Sequence, residues 1–156
     1  MALIHKFAAA VWLLLATMLV ACDGTGGPDV ADTGHLTLVT DSGRHVYEVE
    51  LALTPEAQAR GLMFRREMAP DHGMLFDFHE SREAHFWMRN TYLPLDMIFI
   101  TADGHVYRIA ANTEPLSERI VPSNGPVRAV LELNAGAAEA IGLKPGDVVE
   151  HPVFSE

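Results

Sequence analysis

Side chains suited to ligand binding are concentrated in residues 86–96, whose sequence is FWMRNTYLPLD. Trp87 supplies a flat apolar surface, and Asn90 and Thr91 supply hydrogen-bond donors and acceptors. Asp96 adds a carboxylate at the end of the segment. One hypothesis is therefore a ligand pocket in which Asn90, Thr91 and Asp96 bind polar groups and Trp87 forms the apolar wall.

Asp96 is also a candidate buried charge, because the strand pattern places it on one face with two isoleucines. A buried carboxylate must be ion-paired, hydrogen-bonded to backbone amides, or protonated. The alternative to ligand binding is therefore structural. In it, Asp96 fastens the turn at residues 90–94, or forms an ion pair with Arg60 or Arg65.

Glu132 is a second carboxylate that could act with Asp96 as an acid/base pair of the glycosidase type. The protein would then be a periplasmic hydrolase of a polar or glycan substrate, with Asp96 assisted by Glu132 or by a histidine. The alternative is that Glu132, which shares a strand face with Arg128 and Val130, is solvated or ion-paired. The sequence contains no Gly-x-Ser-x-Gly, His-Glu-x-x-His or phosphate-loop motif, so it favours a binding protein over an enzyme.

Arg65 is a candidate for binding an anionic group, because a guanidinium matches carboxylate and phosphate geometry. Arg60 and Arg66 lie close to it in the sequence. The alternative is that these arginines form salt bridges with acidic neighbours, namely Glu56, Glu67 or Asp71.

Methionine and histidine are frequent in residues 63–97, and both are copper(I) ligands. The residues are Met63, Met68, Met74, Met88, Met97, His72, His79 and His85. Methionine also fills gaps in apolar cores, and no Met-x-x-Met or His-x-His pair is present in this segment. Copper binding is thus an alternative function, and the sequence predicts neither a defined metal site nor a cofactor.

Residues 1–21 resemble the signal peptide of a bacterial lipoprotein. A basic start at His5 and Lys6 precedes an apolar run that, as a helix, is about 20 Å long and too short to span a bilayer. The sequence Leu-Val-Ala-Cys then resembles a lipobox, in which Cys22 becomes the first mature residue and carries the lipid. Asp23 in such lipoproteins favours the inner membrane. The alternatives are an uncleaved anchor or an ordinary signal peptide.

The remaining chain divides into a tether and one domain. Residues 22–34 are rich in glycine and aspartate and too poor in apolar side chains to form a core, so they predict a flexible tether. Residues 35–156 predict a β-rich globular domain. The protein is therefore expected on the periplasmic side of the bacterial cell envelope, with the membrane as its partner through the lipid on Cys22.

Alternating apolar and polar residues predict that strands build this domain. The predicted strands are residues 36–40, 45–53, 74–78, 84–89, 95–101, 105–111, 127–133 and 148–154. Asp103-Gly104, between two of them, predicts a two-residue hairpin turn. Two short helices are predicted, one from the Thr54 cap to Gly61 and one from an Asn134 cap to Gly142. The fold class is mainly β, with α+β as the alternative: a single antiparallel barrel or sandwich of about seven or eight strands.

Five sequence blocks, in order and with short spacers, resemble one family of bacterial and archaeal proteins. The blocks are Arg60-Gly61-Leu62-Met63-Phe64-Arg65, Gly73-Met74-Leu75-Phe76, Phe86-Trp87-Met88-Arg89-Asn90-Thr91, Pro94-Leu95-Asp96-Met97-Ile98-Phe99 and Val130-Leu131-Glu132. They resemble the family called domain of unknown function 192 across about residues 36–153. The resemblance implies a compact, mostly β domain that is often exported or lipid-anchored, and it carries no established reaction.

Together, these features predict a membrane-anchored exported lipoprotein whose domain binds a small molecule or an envelope protein. The formal charge is −10, with 21 acidic and 11 basic residues. Nucleic-acid binders need a basic surface, so this balance disfavours a nucleic-acid partner.

Overall fold

The computed structural model describes residues 33–155. The predictions for the signal peptide, the lipidated Cys22 and almost all of the tether fall outside these residues. Within them, no helix has the length and apolar character needed to cross a membrane.

The described chain folds into seven strands, two short α-helices and a 3₁₀ turn. The strands are β1 (Thr33–Thr40), β2 (Gly43–Ala52), β3 (His72–Phe86), β4 (Leu95–Ile100), β5 (Val106–Thr113), β6 (Val121–Asn134) and β7 (Val148–Glu150). The helices are α1 (Pro55–Arg60) and α2 (Ala137–Ala140), and the 3₁₀ turn is Pro152–Phe154. The mainly β class with two short helices is confirmed.

The strands form one sheet in the order β5-β4-β6-β3-β2-β1-β7. All neighbouring pairs in residues 33–155 are antiparallel except β2 and β3, which are parallel. This parallel pair is possible because α1 and the segment after it return the chain to the start of β3. The sheet is therefore mixed rather than purely antiparallel.

The sheet curls until its two edges meet. Val106 in β5 donates its N–H to the Asp147 carbonyl at 2.9 Å, and Val149 in β7 donates to the Gly104 carbonyl at 2.7 Å. Gly104, with φ of +76°, lies in the predicted Asp103-Gly104 turn between β4 and β5. These contacts give a curled half-barrel rather than a flat sandwich.

Some predicted elements differ from the structure. The predicted strands 74–78 and 84–89 belong to one long strand, β3, which is interrupted by a register shift between Asp77 and Arg82. A strand was predicted over residues 148–154, but β7 ends at Glu150 and the chain then forms the 3₁₀ turn. Asn134 does not cap α2; its amide donates instead to the carbonyls of Met68 and Ala69.

Helix α1 forms where the sequence predicts it. The Thr54 hydroxyl accepts the N–H of Ala57 at 3.2 Å, and Pro55 occupies the first turn, where no amide donor is needed. Gly61 ends the helix at φ of +48° and donates its N–H to the Ala57 carbonyl. A side chain would be disfavoured at this angle, so Gly61 lets the chain turn sharply beneath the site described below.

The sheet has an apolar core on each face. We call these the Leu75 face and the Phe76 face, after neighbouring residues of β3 that point in opposite directions. The Leu75 face also buries Ile98 and Leu131 and is covered by α2, whereas the Phe76 face is covered by α1. Because side chains alternate along each strand, the register decides which face each functional side chain reaches.

Candidate ligand-binding cleft

Glu132 lies in β6, between Met74 of β3 and Met97 of β4, and points to the Phe76 face. It is only 5% exposed. Within residues 33–155, no side chain or backbone group forms a hydrogen bond or ion pair with its carboxyl group. The prediction that Glu132 is solvated or ion-paired is therefore wrong, because the strand register turns it toward the core beneath a cleft.

The cleft has a volume of about 290 Å³, and Glu132 contributes to its lining. Its walls are apolar and aromatic, with Leu62, Met63, Phe76, Phe78, Phe86 and Trp87 among the lining residues. Phe86 packs edge-on against Phe76, with ring centroids 5.1 Å apart. Polar and charged residues form the rest of the lining, with Gln58, His85 and Thr91 among them. Small-molecule sites combine apolar walls with placed polar groups in this way.

Two arginines on the cleft wall have aromatic partners instead of acidic ones. The Arg82 guanidinium lies 4.0 Å from the Phe78 ring centroid, and that of Arg89 lies 4.2 Å from the Trp87 centroid. Neither arginine forms a salt bridge with any described residue. Stacking on a ring holds each guanidinium in place while leaving its N–H groups available.

The bend in β3 brings Arg82 to the cleft. The Asp77 carboxylate accepts the backbone N–H of His79 at 2.9 Å, and His79 adopts a φ of +61°. Arg128 donates to the same carboxylate at 2.7 Å. Burial alone would raise the pKa of Asp77, but Arg128 and the His79 N–H outweigh it and lower that pKa. Asp77 is therefore a charged structural residue that fixes the bend.

Burial raises the pKa of Glu132 from the usual 4.5 to about 8. The cause is desolvation of the charged form, with no partner to offset it. Glu132 is thus a neutral carboxylic acid at pH 7 and can donate a hydrogen bond into the cleft. The cleft at that pH holds cationic arginines and a neutral acid, and so it has a positive charge in an acidic protein.

Asp96 reaches the opposite face of the sheet. It pairs with Leu133 of β6, so it points to the Leu75 face, and it is fully buried. Its carboxylate accepts the backbone N–H of Asn112 at 2.8 Å and that of Ala138 at 3.0 Å. Asp96 thereby joins β5 to the start of α2. The structural alternative predicted that Asp96 fastens the turn at residues 90–94 or pairs with an arginine; within residues 33–155 it does neither.

These positions separate the two carboxylates that the hydrolase hypothesis requires. Asp96 and Glu132 occupy adjacent strands but point to opposite faces, with the sheet between them. An acid/base pair must face one substrate in one cleft. The predicted pairing of Asp96 with Glu132 is therefore wrong.

Arg65 and Asn90 also lie outside the set of residues that line the cleft. Arg65 forms a bidentate salt bridge with Glu50 of β2. The predicted partners were instead acidic residues closer in sequence, Glu56, Glu67 or Asp71. Asn90 is exposed, and its amide lies 3.9 Å from the Met63 sulfur. Its carbonyl accepts the N–H of Phe64 at 2.8 Å, so Asn90 helps to hold the loop at the mouth of the cleft.

The structure thus brings together three of the six predicted ligand-binding residues: Trp87, Thr91 and Glu132. Arg82 and Arg89 were not among the predicted ligand-binding residues. Arg89 lies within the block 86–91 that carries the family resemblance, two residues after Trp87. Arg82 had no comparable signal, because its position depends on the bend in β3.

The methionines and histidines do not form a common cluster. Met74, Met88 and Met97 are buried in the core of the Phe76 face. His72 and His79 lie beside carboxylates, those of Asp71 and Asp77. In residues 33–155, no group of three or more His, Cys, Asp or Glu side chains is placed to hold a metal ion.

Comparison with known proteins places the chain in a family. The family model DUF192, described as an uncharacterized ACR, matches residues 37–151. The chain belongs to the DUF192 family. The match covers the second half of β1 and all of β2 to β7, so the cleft, Asp96 and Glu132 lie within the DUF192 domain.

Two solved structures are similar to this DUF192 protein. One, from Sinorhizobium meliloti 1021, is named as a candidate transcription regulator; it is 52% identical, with a TM-score of 0.76, over 80% of this chain and 97% of that chain. The other, a protein of unknown function from Novosphingobium aromaticivorans DSM 12444, is 49% identical, with a TM-score of 0.75, over 76% and 85%. The comparison with curated proteins found no match.

Proposed function

We propose that this DUF192 protein is a lipid-anchored binding protein of the bacterial cell envelope, and that its cleft binds a small anionic amphipathic molecule. The observation that carries the proposal is Glu132, whose side chain is 5% exposed, has no hydrogen-bond partner among the described residues, and lines a partly aromatic cleft with arginines. Desolvation raises the pKa of this carboxyl group, and groups with strongly shifted pKa values are concentrated at functional sites.

Charge determines which ligand fits. Arg82 and Arg89 present cationic groups at the cleft without acidic partners among residues 33–155, and neutral Glu132 can donate a hydrogen bond. A ligand carrying a carboxylate, sulfonate or phosphate would satisfy these donors. The aromatic walls, including Trp87, would bury its apolar body.

The location follows from the sequence. The signal-peptide pattern and the cysteine at its end support export and lipidation of Cys22, and Asp23 supports the inner membrane. The net charge of −10 disfavours contact with the phosphate backbone of a nucleic acid, so the proposal includes no nucleic-acid function despite the name of the S. meliloti relative.

Titration of the domain with a matched pair of probes tests the ligand class. Residues 33–156 are suitable, because the match covers 97% of the solved S. meliloti chain, which therefore consists of little beyond this domain. Calorimetry should detect binding of naphthalene-1-sulfonate and much weaker binding of naphthalene-1-methylammonium, which has the same ring and the opposite charge.

Variants connect that binding to the cleft. We expect Arg82→Ala and Arg89→Ala each to weaken sulfonate binding about tenfold, equivalent to about 1.4 kcal/mol. Arg44→Ala is the matched control, since Arg44 is exposed and paired with Glu150 away from the cleft. Equal affinity for the two probes, or unchanged affinity in both cleft variants, would contradict the proposal.

Lipidation requires a separate measurement. Protein purified from membranes of expressing cells should have an intact mass that corresponds to a chain beginning at acylated Cys22. Cys22→Ser should accumulate as the unprocessed precursor. A mature chain that begins elsewhere and carries no lipid would refute the anchor and leave the ligand test unaffected.

A further inference from the structure

Two bulky apolar residues are held outward in an unfavourable backbone conformation. Phe64 and Leu116 are 57% and 55% exposed, and their φ angles are +66° and +62°. Positive φ is uncommon for residues with large side chains and requires support from the surroundings. Packing within the described residues leaves more than half of each side chain exposed to solvent.

One turn supports both residues. Phe64 donates its N–H to the Asn90 carbonyl at 2.8 Å, and Leu116 donates to the Thr91 carbonyl at 3.0 Å. Asn90 itself has a φ of +59°. Three chain segments that are distant in sequence are therefore fastened together with two apolar side chains projecting from them.

Two aromatic residues extend this surface. Tyr92 follows the turn and is 39% exposed, and Trp87 on the cleft wall is 41% exposed. Arg66 lies over the Tyr92 ring, with its guanidinium carbon 5.0 Å from the ring centroid. We call Phe64, Trp87, Tyr92 and Leu116 the apolar rim. Exposed tryptophan, tyrosine and aliphatic side chains beside arginine are typical of surfaces that enter the interfacial layer of a bilayer.

The start of the described chain lies near the apolar rim. Thr33, the first residue of β1, pairs with Glu50 of β2. Glu50 binds Arg65, which directly follows Phe64. The 11 residues from Cys22 to the start of β1 span at most about 40 Å when fully extended. A lipid on Cys22 would therefore hold this side of the domain within reach of the bilayer.

We infer that the apolar rim docks onto the surface of the bilayer that carries the anchor. This inference rests on the lipid anchor proposed above. Trp87 belongs to both the rim and the cleft, so the mouth of the cleft would open toward the lipid surface. An amphipathic ligand could then pass between the bilayer and the cleft without crossing water.

The lone cysteine allows a direct test. Residues 22–156 can be coupled through the Cys22 thiol to a maleimide lipid in phosphatidylcholine vesicles, which supplies the anchor chemically. Trp87 is the one tryptophan in this segment. Its fluorescence should be quenched when the vesicle lipids carry bromine on their acyl chains, and Phe64→Ser with Leu116→Ser should abolish the quenching. Val46→Ser is the matched control, because Val46 is 56% exposed on β2.

Unquenched Trp87 in the coupled wild-type protein would overturn the inference, as would quenching that survives the double substitution. Sedimentation of the uncoupled segment tests another occupant. A dimer that the double substitution dissociates would show that the rim binds a second copy instead. Because no ligand is added and the anchor is synthetic, these outcomes do not depend on naphthalenesulfonate binding or on natural lipidation.

Discussion

Asp96 and Glu132 are both buried carboxylates of adjacent strands, and yet their surroundings assign them opposite roles. On the Leu75 face, Asp96 accepts two backbone N–H groups and joins β5 to α2. On the Phe76 face, Glu132 lines a cleft and has no partner among residues 33–155. Burial therefore does not distinguish an acid that holds the framework together from one that faces a cleft, whereas the hydrogen bonds that each acid forms do.

The largest expected effect is on the Leu75 face. Asp96→Ala should lower the free energy of unfolding by about 4 kcal/mol, because each of two buried amides left unpaired costs about 1–3 kcal/mol. Asp96→Asn keeps one acceptor oxygen and should lose about half as much. Urea unfolding of residues 33–156 measures both. A loss below 1 kcal/mol for the alanine variant would contradict the structural role of Asp96.

Glu132→Gln should have the opposite effect on stability. Between pH 4.5 and about 8, the unfolded chain has released the Glu132 proton and the folded chain retains it. The unfolded state then binds fewer protons, so the free energy of unfolding falls by about 1.4 kcal/mol per pH unit as the pH rises.

Glutamine has no proton to release, so the variant should exceed the wild type by about 3 kcal/mol at pH 7 and lose this advantage near pH 4.5. Urea unfolding of both proteins at several pH values measures the difference. A difference that does not change with pH would mean that Glu132 ionises normally, and the contrast with Asp96 would disappear.

Ligand affinity should follow the protonation of Glu132. Above pH 8, its carboxylate would repel an anion, so naphthalene-1-sulfonate should bind about tenfold more weakly at pH 9 than at pH 7. The other titratable or charged groups that line the cleft are Arg60, Arg82, His85 and Arg89. In calorimetry, the sulfonate affinity of Glu132→Gln should therefore not depend on pH, and that of His85→Gln should depend on pH as it does in the wild type.

The smallest expected effect concerns Arg65, which the sequence placed among the ligand-binding residues. Its salt bridge with Glu50 is partly exposed, so Arg65→Ala should reduce the free energy of unfolding by only about 1 kcal/mol. Sulfonate affinity should stay within about twofold of the wild type. A tenfold loss of affinity would instead show that Arg65 contributes to ligand binding.

The sequence predicted the elements well because their signals are local. Strand alternation, the Thr54 cap and the Asp103-Gly104 turn depend on neighbouring residues, and each appears in the structure. The site depends on register between strands that are distant in sequence. Alternation shows which residues of the same strand share a face with Asp96 or with Glu132. Only the pairing of Asp96 with Leu133 shows that the two carboxylates point to opposite faces of the sheet.

The same limit explains the missed arginines. Arg82 reaches the cleft because Asp77 and His79 bend β3, and no short-range pattern predicts that bend. Asn90 lies beside the cleft, but it is its backbone carbonyl, rather than its side-chain amide, that helps to hold the loop at the mouth of the cleft. Side-chain chemistry alone therefore selected a segment that borders the cleft and could not show which of its side chains face the cleft.

The pairing of β7 with β1 also determines when the fold can be completed. Val149, near the end of the chain, pairs with Leu38 near the start of the domain, and the same short strand closes against Gly104. Such contacts have a large sequence separation, and folding that depends on them is slow. The sheet cannot close until almost the entire chain has been synthesised. A chain that has not yet reached Val149 therefore has two unpaired sheet edges, one at Leu38 and one at Gly104.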